Sequence, residues 1–185
     1  MSVLLPAAGR YISFDPLAEI NGDSVRAVLT GVFLPHQCRE MMGRHGLPAL
    51  PRPGQWYPMQ AWLNLLAEIE QQFGPRTLYQ TGLLMVDHGV FPTGMPTLLA
   101  ALQALDGVYQ TNVRGVRMGY YRASEVAARE LRMERCTPHP VEFEHGVVTG
   151  LARRYKPAGA VRLSVDLDPS GPAEGLYKNS FRVTW

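Results

Sequence analysis

VRLSVDLDPSGPAEGLYKNSFRVTW, residues 161–185, alternates apolar and polar side chains twice. Val161, Leu163, Val165 and Leu167 alternate with Arg162, Ser164, Asp166 and Asp168; Phe181, Val183 and Trp185 alternate with Arg182 and Thr184. A period of two marks a strand with one face on a core, and the intervening PSGPAEG is turn material. The stretch predicts two antiparallel strands, each with one buried face.

The chain before this pair reads differently. Met59, Trp62, Leu63, Leu66, Ile69 and Phe73 recur at helical spacing after Pro58, with Glu70 the polar member of the stripe and Gly74-Pro75 as the stop. A second helix is predicted from Pro75 to about Asp87, carrying Leu78, Tyr79, Leu83 and Val86. A third is predicted from near Pro96, carrying Leu98, Leu99, Leu102 and Leu105. VRMGYY and ELRMER read as strands, although EVAARELRMER fits a helix as well. Helices first and strands mostly later give an α+β fold, a helical layer packed on an antiparallel sheet that ends in the strand pair.

Towards the N-terminus, residues 1–22 predict an arm or short strand. Asp23-Ser24 offers a cap for a short helix, and a second short helix is expected from Pro35 to Gly43. The loop GLPALPRPG, residues 46–54, divides the chain into an N-terminal part, 1–53, and a body, 54–185, within one globular unit.

A net charge of +2 over 185 residues provides no broad footprint for nucleic acid. No apolar run reaches the ~20 residues of a membrane span. With no basic region before the N-terminal apolar patch, no signal peptide is read. The two cysteines, Cys38 and Cys136, cannot build a disulfide framework, so the expected location is the cytoplasm.

CTPHPVEFEHG, residues 136–146, gathers Cys136, His139, Glu142, Glu144 and His145. Pro140 suits the start of a helix whose apolar stripe is Phe143, Val147, Val148, Leu151 and Tyr155. Glu142 and Glu144 then fall where the helix dipole favours carboxylates, and Arg153, Arg154 and Lys156 where it favours cations. The helix accounts for this charge order by itself. Cys136 and His139 lack the further ligands of a zinc site, so no metal is expected. Gly146 and Gly150 each cost about 1 kcal/mol in a helix interior, which predicts a close neighbour. Gly150 is expected to pack against another element and Gly146 to border a cavity. His88 reads as a helix-end residue, with a haem ligand as the alternative, and His36 and His45 read as solvated side chains.

The series GQWYPMQAWLNLL, FGPRTLYQTG, GVYQTNVRGVRMGYY, PHPVEFEHGVVTGLARRY and NSFRVTW resembles the 4-vinyl-reductase-type small-molecule-binding domain of bacterial hydrocarbon-binding proteins. That domain is related in fold to haem nitric-oxide-binding domains and to Bet3-like tethering subunits. The resemblance covers roughly residues 54–185. It implies helices against an antiparallel sheet around an apolar cavity, often in a dimer, acting as a ligand sensor or a scaffold. The cysteines such domains often carry near the last strand pair are absent, since Pro172-Ala173-Glu174-Gly175 and Asn179-Ser180 stand there. YYRAS, residues 120–124, does not match the Tyr-x-Ser-x-Arg run of haem domains.

Aromatic density around 56–62 and 109–121 then favours a non-catalytic sensor or carrier of an apolar small molecule, with a ligand-free scaffold as the alternative. The candidate pocket residues are Trp56, Tyr57, Trp62, Tyr79, Tyr109, Tyr121, His139, Phe143, His145 and Gly146. A catalyst using His139 or His145, with Glu142 as orienter, lacks a nucleophile and a cofactor loop. The sequence names no cofactor, and the partner expected is a second copy or another protein.

Overall fold

The computed structural model describes residues 10–31, 35–88, 91, 93–171, 173–175 and 177–185. The expectations placed on residues 1–9, on Gly89 and on Pro172 lie outside the described residues. The elements are β1 (Glu19–Asn21), α1 (Gly22–Gly31), α2 (Pro35–Arg44), β2 (Trp56–Pro58), α3 (Met59–Phe73), α4 (Pro75–His88), α5 (Leu98–Asn112), β3 (Val113–Arg114), β4 (Tyr120–Ala127), β5 (Glu130–Cys136), α6 (Val141–Arg154), β6 (Ser164–Leu167) and β7 (Lys178–Thr184). The fold is α+β, with two antiparallel sheets of order β2-β1-β3 and β4-β5-β7-β6.

Trp56 and Tyr57 do not open the main helix. Pro58 caps α3 with ψ near 127° and holds the residue before it extended. Trp56 and Tyr57 therefore pair with Asn21 and Ile20 as a short strand. β1 also pairs with β3, so the N-terminal segment supplies the middle strand of this small sheet. At the other end of α3, Gly74 takes a positive φ of 82° and returns its N–H to the Glu70 carbonyl at 2.8 Å. α5 starts two residues after Pro96, where the Thr97 hydroxyl accepts the Ala100 N–H.

EVAARELRMER divides into strand, turn and strand, with Arg129 at φ 60° in the turn and β5 paired on both sides. Two ladders of backbone hydrogen bonds outweigh the helical preference of Ala and Glu. The strand pair at the end is antiparallel as expected, but β6 is short and lies at the sheet edge. Of its expected inward residues Val165 is buried, whereas Val161 is 91% and Leu167 52% exposed.

α6 packs side by side with α4 and lies against β6 and β7. α3 is buried nearly all round, Leu63 and Leu65 included. Its apolar surface is thus covered within the chain. Tyr11 donates to Glu70 at 2.7 Å and ties the N-terminal segment to α3. Cys38 and Cys136 are both free. Among the described residues no helix is long and apolar enough to cross a membrane.

Candidate functional site

A cavity of about 240 Å³ opens between α1, α3, α4, α5 and the start of α6. Its wall is mostly apolar: Ile20, Ala27, Met85, Phe91, Leu105, Val108, Val113 and Val147. Trp62, Tyr109, Tyr121, His139 and Phe143 complete it, and the exposed Asp23 and Arg26 of α1 mark its rim. The aromatic rings hold one another edge-on. Trp62 meets Phe143 at 6.0 Å, Tyr109 meets Tyr121 at 5.3 Å, and His139 sits 5.8 Å from Tyr109 and 5.5 Å from Phe143. The indole N–H of Trp62 is buried without a hydrogen-bond partner among the described residues. An unmet buried donor costs about 1–3 kcal/mol.

Beneath this wall lies a buried polar network. Glu144, on the first turn of α6, is fully buried. It accepts hydrogen bonds from the Tyr121 hydroxyl and, at 2.8 Å, from the Thr137 hydroxyl. His139 Nδ1 lies 3.1 Å from Oε1, the oxygen that Thr137 also reaches, off the line of a well-aligned ring N–H bond. Arg135, also fully buried, donates to the Thr137 hydroxyl at 3.0 Å, to the His139 carbonyl at 2.9 Å and to Asn179 at 2.8 Å. Burial pushes the Glu144 carboxyl up, but His139, Arg135 and the Tyr121 hydroxyl more than offset it and hold it below the usual carboxylate range. Burial, followed by the Glu144 charge, pushes the Tyr121 phenol well above its ordinary value. The Tyr109 hydroxyl donates to the Met118 carbonyl at 2.6 Å.

The candidate residues divide in two. Trp62, Tyr109, Tyr121, His139 and Phe143 line the cavity together. Trp56 instead lies under the Arg114 guanidinium, 4.5 Å from its ring centre, and the Tyr57 hydroxyl takes the Arg52 N–H. His145 stacks on Phe181, faces Tyr79 edge-on and donates through Nε2 to the Val165 carbonyl at 2.6 Å. Gly146 is not a cavity wall: a Cβ there would overlap the Tyr79 carbonyl oxygen of α4. Gly150 packs on Leu83 and Val86, and Gly82 of α4 meets the Phe143 carbonyl. The three glycines let α4 and α6 touch backbone to backbone.

Two charged assignments also change. The carboxylate beside His139 is Glu144, not Glu142, and Glu144 serves a buried network and not the helix dipole. His45 is covered and pairs with Glu68 at 2.7 Å, while His36 is exposed. Among the described residues no group of three His, Cys, Asp or Glu is placed to hold a metal ion.

No protein-family model and no curated protein matches the sequence. Solved structures do. An H-NOX protein studied for the function of haem distortion superposes with a TM-score of 0.70 at 15% identity, over 90% of this chain and 95% of the other. An H-NOX mutant from T. tengcongensis gives 0.66 at 15% identity, over 88% and 93%. An oxygen-binding H-NOX domain related to soluble guanylate cyclases gives 0.60 at 14% identity, over 88% and 91%. Across nearly its whole length, the chain has the fold of the H-NOX domains.

Proposed function

We propose that the protein is a non-catalytic sensor or carrier domain that holds one small, largely apolar molecule in the cavity between α1, α3, α4, α5 and α6. The observation that carries this reading is the cavity itself, walled by five aromatic side chains. An apolar cavity of about 150 Å³ holds benzene, so 240 Å³ takes one substituted ring or a compact aliphatic molecule of similar size.

A porphyrin does not fit. Pockets for drug-sized ligands run roughly 300–1,000 Å³, above the volume present here. Haem iron also needs an axial His, Cys, Met or Tyr donor. Tyr109 and Tyr121 already donate to Met118 and Glu144, so neither hydroxyl is offered to an iron. The fold is shared with haem domains, while the cavity volume supports a smaller guest.

Native mass spectrometry of gently purified protein, paired with toluene titration followed by NMR, tests the reading. Toluene should bind and shift the resonances of Phe143, Leu105 and Val147, and Val108→Trp, which fills the cavity, should abolish those shifts while keeping the fold. The purified protein should show no haem absorption. A cavity closed to toluene, with no retained molecule, would leave the ligand-free scaffold as the reading.

A further inference from the structure

We infer that the open edge of β6 is a self-pairing site, where a second copy of this chain adds its own β6 antiparallel, across a two-fold axis at Ser164. β6 ends the sheet order β4-β5-β7-β6, so among the described residues one side of it has no strand beside it. The Asp168 N–H donates to the Ser180 carbonyl of β7 at 2.8 Å. Backbone groups alternate sides along a strand. Those of Asp166 and Ser164 therefore also turn to β7, and those of Leu163, Val165 and Leu167 turn to the open edge. The Val165 carbonyl fits this parity, since its partner is the His145 ring of α6, and its second lone pair remains. Such a row of backbone groups is a template for another strand.

The residues of the edge say which strand. Pairing 161–167 with itself about Ser164 sets Arg162 opposite Asp166 of the second copy, and Val161 opposite Leu167, each pair occurring twice. Arg162 and Asp166 are exposed. Arg182 lies opposite Asp166 on β7 but is held by Asp168 and Glu130. Val161 and Leu167 are the exposed apolar side chains of this stretch. Opposite charges and apolar pairs facing across a ladder both favour pairing. The parity agrees, because Leu163 and Val165 meet through edge-facing backbone, and Arg162 and Asp166 fall at the closer, non-hydrogen-bonded position. Other registers lose these matches. Centring on Arg162 or Asp166 sets like charges together, and centring on Leu163 leaves Leu167 opposite Gly159. Centring on Val165 sets Arg162 opposite Asp168, which Arg132 and Arg182 already fill.

An edge this short is smaller than the ~20–30 residues a side of a standard interface, so a dimer with micromolar affinity is expected. Analytical ultracentrifugation of the full chain tests it, with Arg162→Asp and Asp166→Arg as variants at exposed positions that leave the core alone. Each variant by itself puts like charges at both crossings and should dimerise at least about tenfold more weakly than the wild type. An equimolar mixture of the two should recover the wild-type affinity, because one copy then supplies both carboxylates and the other both guanidiniums. In a Cys136→Ser background, Ser164→Cys should cross-link in air, since opposite residues at such a position have Cα atoms ~4.5 Å apart, within disulfide reach. A wild type that stays monomeric at about 100 µM, variants that dimerise as tightly as it does, a mixture no tighter than its components, or a Ser164→Cys chain that does not cross-link would overturn the inference. None of these results touches toluene binding, so the cavity reading stands or falls separately.

Discussion

Two carboxylates, Asp168 just past the end of β6 and Glu144 on the first turn of α6, lie near arginines of β5 and do different work. Asp168 accepts from Arg132 at 2.7 Å, from Arg182 at 3.0 Å and from the Ser170 hydroxyl at 2.7 Å. Arg132 and Arg182 lie directly opposite on β5 and β7, a like-charge pair that would weaken the ladder by itself. Asp168, itself buried, neutralises it beside Arg182, which is 41% exposed. Glu144 answers no such local need. Its partners are the cavity-lining Tyr121 and His139, and its nearest guanidinium, Arg135, reaches the network through Thr137. A carboxylate at a strand crossing explains a sheet; an enclosed one beneath an aromatic cavity points to a ligand.

Glu144→Ala is expected to have the largest effect. It strands the Tyr121 and Thr137 hydroxyls and uncovers the charge of Arg135, which for a broken buried network costs about 3–5 kcal/mol. Urea unfolding measures it, and a loss under 1 kcal/mol would erase the contrast with Asp168. Gly146→Ala comes next, at about 1–3 kcal/mol, because its methyl meets backbone. Gly150→Ala should cost less, since the Val86 side chain beside it can turn. Melting curves of the two variants give that order.

Asp168→Asn should be milder than Glu144→Ala at pH 7, because Asp168 is buried but its arginine partners keep contact with water. The Ser170 hydroxyl, against the effect of desolvation and with help from Arg132, holds Asp168 well below the usual carboxylate range. A carboxyl depressed in the folded state adds stability above its unfolded value of about 4, and this is lost as pH falls through the folded one. The variant should therefore unfold with a flatter acid limb below about pH 4. Glu144 has the same sign, so the wild type retains a further acid-sensitive contribution after Asp168 is removed.

The helices α3 to α6 and the β6–β7 pair were legible because each spans at least one full period of its pattern. β1 and β2 have three residues each, too few for alternation to show. For the site, long-range pairing decided what local pattern could not. Ile20, Ser24 and Ala27 reach the cavity only because β1 joins β2 and β3. Glu144 carried a signal that was passed over: Val147, Val148 and Leu151 follow it at three, four and seven residues, so it lies on the apolar stripe and not beside it. A carboxylate in that place calls for buried partners, and Tyr121 and Thr137 are they.

The bare contact between α4 and α6 also bears on how the chain folds. With Gly146 and Gly150 in its interior, α6 has poor helical propensity of its own, and a helix of this length is marginal in water even with good formers. A synthetic peptide of residues 139–155 should be mostly coil by circular dichroism. The surface that makes it a helix is the groove on α4 around Gly82, separated from it by α5, β4 and β5. α4 is thus a template for α6, and the wall that carries Phe143 and Glu144 exists only once distant parts of the chain have met.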